Sequence, residues 1–233
     1  SYGHNQYLMI VRDITQLKQL EQIRKDFVAN VSHELRTPLT VLQGYLEVME
    51  PEQLPQAAIW QKAHTVMLEQ TKRMDALVQQ LLTLSRIEAA TKVQFDEKVD
   101  VPAMLAMLEQ EAHSLNREKQ HQIEFLIEAG LCINGITDEL RSAFSNLVFN
   151  AVKYSPEESE IRIRWWADEQ GGHFSVADSG IGIEAKHLPR LTERFYSLPR
   201  PNGGRKSTGL GLNFVAEVAA LHGGRLEIGR AHV

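Results

Sequence analysis

The 233-residue chain has a single cysteine, Cys132. No disulfide can close within it, and no CxxC metal site can form. The plain reading of Cys132 is a small apolar residue on a strand, in a chain suited to a reducing compartment. No apolar run reaches the ~18 residues needed to span a bilayer, and no signal peptide is present, although the chain does not begin with Met. Basic excess is missing as well. The formal net charge is −5, which argues against a nucleic-acid surface. There is no GxxxxGK[ST] string, so the P-loop enzymes are excluded. What is present is an ordinary globular composition, 43% hydrophobic, enough for one or two domains.

The hydrophobic period divides the chain. Residues 7–11 (YLMIV) read as a short strand, and one strand cannot stand alone, so 1–14 is expected to be the end of a domain truncated upstream. From Thr15, apolar residues recur at helical spacing through Leu17, Leu20, Ile23, Phe27, Val31, Leu35, Leu42, Tyr45 and Met49. Pro51 and Pro55 break this helix. A second periodic run extends from Ile59 through Ala63, Val66, Met74, Leu77, Val78 and Leu84 to Ile87. The pair predicts an antiparallel helical hairpin over 15–92. A bare apolar face on each hairpin predicts a homodimer that completes a four-helix bundle.

Beyond a linker at 89–96 the pattern is mixed, and 93–233 is expected to form one α/β domain. Helices are predicted over 102–119, from Thr137 as cap to about Lys153, over 186–195 and over 210–221. Strands are predicted over 122–129, 131–136, 160–167, 172–177 and 225–228. The Pro-, Gly- and Arg-rich segment 198–206 reads as mobile, and with residues 191–196 it is expected to form a lid.

Four strings carry chemistry. The first is Phe27-Val-Ala-Asn-Val-Ser-His-Glu-Leu-Arg-Thr-Pro-Leu39. It sets His33 beside Glu34, with Thr37 one turn on. An imidazole is a usable nucleophile near neutral pH, and a neighbouring carboxylate can hold the proton on its second nitrogen. Pro38 removes the helical partner of the Glu34 carbonyl and is expected to kink the helix. The second string is 146–155, where Asn146, Asn150 and Lys153 share one helix face. Two amides and an ammonium suit a phosphate chain with Mg²⁺, which takes oxygen ligands. The third is Asp178-Ser-Gly-Ile-Gly-Ile183. Its glycines Gly180 and Gly182 let backbone approach a ligand, and Asp178 can accept from an adenine amino group. The fourth is Ser207-Thr-Gly-Leu-Gly-Leu212, entering a helix whose N-terminal N–H groups favour phosphate.

In this order the motifs, with the intervening Glu193-Arg-Phe-Tyr196, resemble those of the sensor histidine kinases of two-component systems. The resemblance runs from Thr15 to the C-terminal end. Strings 28–49 and 77–90 are similar to the phosphate-sensing branch, and 194–203 to a carbon-source-responsive branch. It implies a dimerising hairpin followed by an α/β-sandwich ATP-binding domain of the gyrase, Hsp90 and histidine kinase type. His33 would then be the phosphorylated residue, Glu34 would assist transfer, and Thr37 would position water for dephosphorylating the partner. Asn150 would hold Mg²⁺. Asn146, Lys153, Tyr154, Asp178, Gly180, Gly182, Thr208, Gly209, Leu210 and Gly211 would contact ATP. A response regulator receiver domain is the implied partner. Segments 1–14 resemble the end of a PAS-type sensory domain, and a bacterial inner-membrane protein whose membrane helices lie upstream is implied, this portion being cytoplasmic.

Two departures bear on the expectation. Ser197 follows the Phe-Tyr pair where many relatives carry a basic residue, with Arg194, Arg200 or Arg205 as substitutes. Residues 227–233 match the translation of a common sequencing-adapter read and are expected to be a non-native tail, leaving the sheet without its last strand. The same motifs admit two other readings: a gyrase- or Hsp90-type ATPase, which needs no His33, and a dimeric scaffold without nucleotide binding.

Overall fold

The computed structural model describes residues 14–49, 57–89, 95, 97–198 and 209–229. The expected strand at 7–11, the break at 51–55, most of the linker and the 199–206 part of the lid lie outside them. Two compact units emerge, one through Met74 and one from Asp75.

The first unit contains helix α1 (Thr15–Val48) and the start of α2 (Ala57–Ala89). Helix α1 runs unbroken through Pro38, which is fully buried. Along α2, Ala63, Gln70, Leu77 and Leu84 are buried at a spacing of seven, the register of a coiled-coil seam. Ile59 and Val78, read from the sequence as part of the packed stripe, are 48% and 40% exposed. On α1, Leu46 and Val48 are likewise exposed.

The second unit is the α/β domain. Strand β1 (Lys98–Asp100) leads directly into α3 (Val101–Leu115). Asp100 caps α3 by accepting from the Ala103 N–H at 3.1 Å, with Pro102 in the first turn, where its missing N–H costs nothing. Strands β2 (Gln122–Ile127) and β3 (Cys132–Asn134), helix α4 (Thr137–Tyr154), strands β4 (Glu160–Asp168) and β5 (Gly171–Asp178), and helix α5 (Gly211–Leu221) follow. β1 pairs antiparallel with β3, placing Val99 opposite Ile133. The larger sheet has the order β2-β4-β5, with β2 parallel and β5 antiparallel to β4.

Alternation on β4 decides which face is covered: Ile161, Ile163 and Trp165 are buried, while Arg162 and Arg164 are exposed. The buried face meets Leu140, Phe144 and Val148 of α4. Phe144 stacks on Phe174 of β5 at 4.1 Å between centroids and tilts against Trp165 at 6.0 Å. Helices α3 and α5 add Leu105, Leu108, Phe214 and Val218 to the same core.

Three local expectations are corrected. Residues 186–195 form only a 3₁₀ turn, Leu188–Arg190. Pro189 is tolerated only at a helix start, and Phe195 sits at φ +63, which ends any helix. Arg225–Ile228 forms no strand, because no described strand offers it a ladder; Arg225 pairs locally with Glu227 instead. Thr137 does not cap α4. Ile136 holds that position, and the Thr137 hydroxyl donates to Glu97 Oε1 at 2.8 Å.

The first turn of α4 also buries a carboxyl. Glu139 is 4% exposed and its Oε2 has no partner among the described residues. Burial pushes its pKa up, against the opposing pull of Arg86 and then His222. The folded chain therefore keeps this proton to higher pH than the unfolded chain does. Stability must fall as pH climbs from the ordinary carboxylate range through the raised folded value. Glu139→Gln is expected to remove that loss. The gain should be about 1–3 kcal/mol at pH 7 and near zero at pH 4, read from urea melts at both values.

Candidate active site

On α1 the His33 side chain is exposed, and the Thr37 hydroxyl, one turn on, donates to the His33 carbonyl at 3.2 Å. His33, Arg36, Thr37, Thr40 and Val41 line one shallow concavity. Glu34 is not bonded to the neighbouring imidazole. Its Oε2 accepts from Arg73 Nη2 of α2 at 3.1 Å, with the Glu34 side chain 21% exposed. Arg73 was not foreseeable. It lies thirty-nine positions away, and no string in the sequence marks it.

In the second unit α4 carries the two asparagines, and the start of α5 closes on them. A Cβ added to Gly211 would fall 2.7 Å from Asn146 Oδ1 and 3.8 Å from Asn150 Nδ2. Asn146 donates from Nδ2 to the Ser142 carbonyl at 2.7 Å, which fixes the amide with its oxygen toward Gly211. Gln80 Nε2 of α2 also reaches that oxygen, at 3.5 Å. Leu210, the residue before α5, is fully buried.

Gly209 adopts φ +66, and its carbonyl accepts from the Phe195 N–H at 2.9 Å. The Asn213 amide of α5 donates to the Thr192 carbonyl at 2.9 Å. These two bonds tie the segment carrying Phe195 and Tyr196 to the start of α5. Tyr196 is in turn held by His187 Nδ1 and lies under the Arg190 guanidinium. Arg194 sits 3.9 Å from Glu217. Thr208, Arg200 and Arg205 lie outside the described residues.

The loop after β5 approaches the far end of α4. Asp178 Oδ1 accepts from the Gly180 N–H at 2.9 Å, an Asx turn, and Asp178 is exposed. A Cβ at Gly180 would meet Asp178 Oδ1 at 2.5 Å and Ser155 Oγ at 3.5 Å. That Ser155 hydroxyl is buried and has no partner among the described residues. Gly182 adopts φ +68. Lys153 is exposed, with its ammonium 5.1 Å from the centre of the Tyr154 ring.

Asn146, Asn150 and Gly211 are thus brought together at one place on α4, and Ser155 and Gly180 at another, with Asp178 beside Gly180. Lys153 and Tyr154 stand on the turn between them. At Gly180 and Gly211 a side chain would fill the space beside these groups. Side-chain amides, an ammonium, a carboxylate and the N–H groups at the start of α5 are the donors and acceptors a polyphosphate and a purine edge require. Among the described residues no group of three or more His, Cys, Asp or Glu could hold a metal by itself. No described helix is long and apolar enough to cross a membrane.

Comparison with known proteins agrees with the two halves. Residues 23–90 match the His Kinase A (phospho-acceptor) domain, and residues 135–232 the histidine kinase-, DNA gyrase B- and HSP90-like ATPase domain. The chain is 51% identical, over 97% of its length, to the phosphate regulon sensor protein PhoR of Pseudomonas aeruginosa. It is 41% identical over 98% to that of Haemophilus influenzae. It spans about half the length of these relatives, 52% and 53%. Among solved structures, the histidine kinase AdeS of Acinetobacter baumannii matches with a TM-score of 0.63 at 22% identity. That match covers 85% of this chain and 91% of the other, and shows a shared fold. Full-length ShkA, solved with AMPPNP, matches with a TM-score of 0.56 at 24% identity over 90% of this chain and 43% of that one. A phospho-acceptor helical hairpin joined to an ATPase-type α/β domain places the chain in the sensor histidine kinase family.

Proposed function

We propose that the chain is the catalytic core of a sensor kinase that phosphorylates His33 from ATP and passes the phosphoryl group to an aspartate of a response regulator. The observation that carries this is the closure of Gly211 on Asn146 and Asn150, in a chain that also presents an exposed His33. When bound, ATP with Mg²⁺ supplies the phosphoryl group and the counter-charge that stabilises its transfer.

The protein's part is positioning and charge. Asn150 would offer its amide oxygen to Mg²⁺, whose remaining shell would be phosphate oxygens and water, and Asn146 would contact the nucleotide. Lys153 and the N–H groups at the start of α5 face anionic oxygens, and Asp178 with Tyr154 holds the purine. The Gly180 and Gly182 loop lines the same site, with the Gly180 N–H held by Asp178. At the acceptor, one ring nitrogen of His33 is the nucleophile and the other keeps its proton. Glu34 receives a hydrogen bond from that proton once it leaves Arg73. Thr37 holds a water for the reverse task, dephosphorylating the regulator. Exposed apolar side chains on α1 and α2, Leu46, Val48 and Ile59 among them, support a dimer that covers them. The named function of the relatives supports phosphate status as the stimulus.

Incubation with γ-labelled ATP and Mg²⁺ tests the reading. A phosphoramidate on histidine is labile to acid and stable to base, and that pattern is expected. Phosphate released to solution with no label retained on the chain would instead establish an ATPase.

A further inference from the structure

The last two turns of α4 carry Asn150, Lys153 and Tyr154, all assigned to the nucleotide, and the helix end is held by a segment with no role so far. A helix leaves its final carbonyls without intrahelical partners. Here Lys119, in the turn between α3 and β2, donates from Nζ to the carbonyls of Lys153 and Ser155, each at 2.7 Å. His121 Nε2 lies 3.0 Å from the Val152 carbonyl. A carbonyl can only accept, so this nitrogen bears the proton, and Nδ1 is left buried with no partner among the described residues. His121 is 5% exposed.

The turn that delivers these two side chains is built for that purpose. Asn116 donates from Nδ2 to the His121 carbonyl at 2.7 Å and accepts the His121 N–H at 2.8 Å. Gln120, between the two donors, is held at φ +54, a region that ordinary side chains avoid. The Glu158 N–H donates back to the Lys119 carbonyl at 2.9 Å, so the loop after α4 is stitched to the same turn. Three carbonyls at the end of α4 are thereby tied to one point outside the helix. One of the donors is a cation placed where the helix dipole is negative.

We propose that Lys119 and His121 are positioning residues for the nucleotide, holding the end of α4 so that Asn150, Lys153 and Tyr154 meet ATP in one geometry. The assignment rests on the kinase reading above. Ser155, whose carbonyl takes the Lys119 ammonium, also points its hydroxyl at the Gly180 loop, so a loosened helix end displaces both walls of the purine end of the site.

The test compares the 233-residue chain with Lys119→Met and Lys119→Arg. Nucleotide Kd is measured by titration with a fluorescent ATP analogue, KM and kcat by labelling, and amide exchange is followed over 151–155. Lys119→Met is expected to raise Kd and KM about five- to tenfold, to leave kcat within about twofold, and to speed exchange at the last turn of α4. Lys119→Arg should restore both constants. Should Lys119→Met fail to fold, Lys119→Gln is read in the same assays with the same expectation. A lowered melting temperature with unchanged Kd and KM would overturn the proposal, leaving a cap that only stabilises the fold. An unmutated chain that binds no nucleotide would instead overturn the kinase reading, and this assignment with it.

Discussion

His33→Gln is expected to reduce label from γ-labelled ATP at least about a thousandfold while leaving nucleotide affinity unchanged. Glutamine keeps the size and much of the polarity of the side chain. Its amide nitrogen gives its lone pair to the carbonyl, so no nucleophile remains. The folded state should barely notice. His33 is exposed on α1 and its side chain makes no described hydrogen bond; the bond from Thr37 reaches its backbone carbonyl, which the substitution keeps. Glutamine is also at least as good a helix former as histidine. Nucleotide affinity should hold because the residues assigned to ATP all belong to the unit that begins at Asp75. Label that persists in the variant would place the acceptor elsewhere, with exposed His64 on α2 the first residue to replace next.

How far the sequence could be read depended on whether the information was local. The long helices declare themselves through a period repeated over many turns, so α1 and α2 were legible. Segments 122–127, 160–168 and 171–178 declare themselves as strands through β-branched and aromatic runs punctuated by Gly. Strand β1 was missed, because three residues ending in a helix cap carry no periodic signal. The helix expected over 186–195 does not form, because Pro189 and the left-handed Phe195 prevail over any helical preference of the segment. Within the candidate site, the strings that carry Asn146, Asn150 and the glycines could be picked out because each motif is contiguous. Arg73, His121 and Lys119 were not. Their partners Glu34, Val152, Lys153 and Ser155 lie thirty or more positions away, and only the folded chain brings them together.

The glycines are where sequence and geometry meet most sharply, and Gly209→Ala is expected to be the most damaging small substitution in the ATP-binding unit. Two costs combine. Gly209 lies at φ +66, a region that costs a residue with a Cβ about 1–2 kcal/mol. The added carbon would also collide with the carbonyl carbon of Phe195 and fall 2.6 Å from its Cα and 2.7 Å from the Tyr196 nitrogen. All three are backbone atoms, so no side chain can turn aside. The two segments must part, and the Phe195 N–H bond to the Gly209 carbonyl goes with them. Leu210 is anchored in the core directly after it, so the displacement passes to Gly211 and to its approach on Asn146. Nucleotide affinity should fall at least about thirtyfold, equivalent to about 2 kcal/mol. Gly223→Ala separates the two causes. Gly223 has φ +74 with nothing within 4 Å of its would-be Cβ, so that variant bears the conformational cost alone. It should melt earlier and bind nucleotide as the parent does. Equal affinity in both variants would mean that the 195–209 contact yields without moving the site, and that the start of α5 takes its position from the core alone.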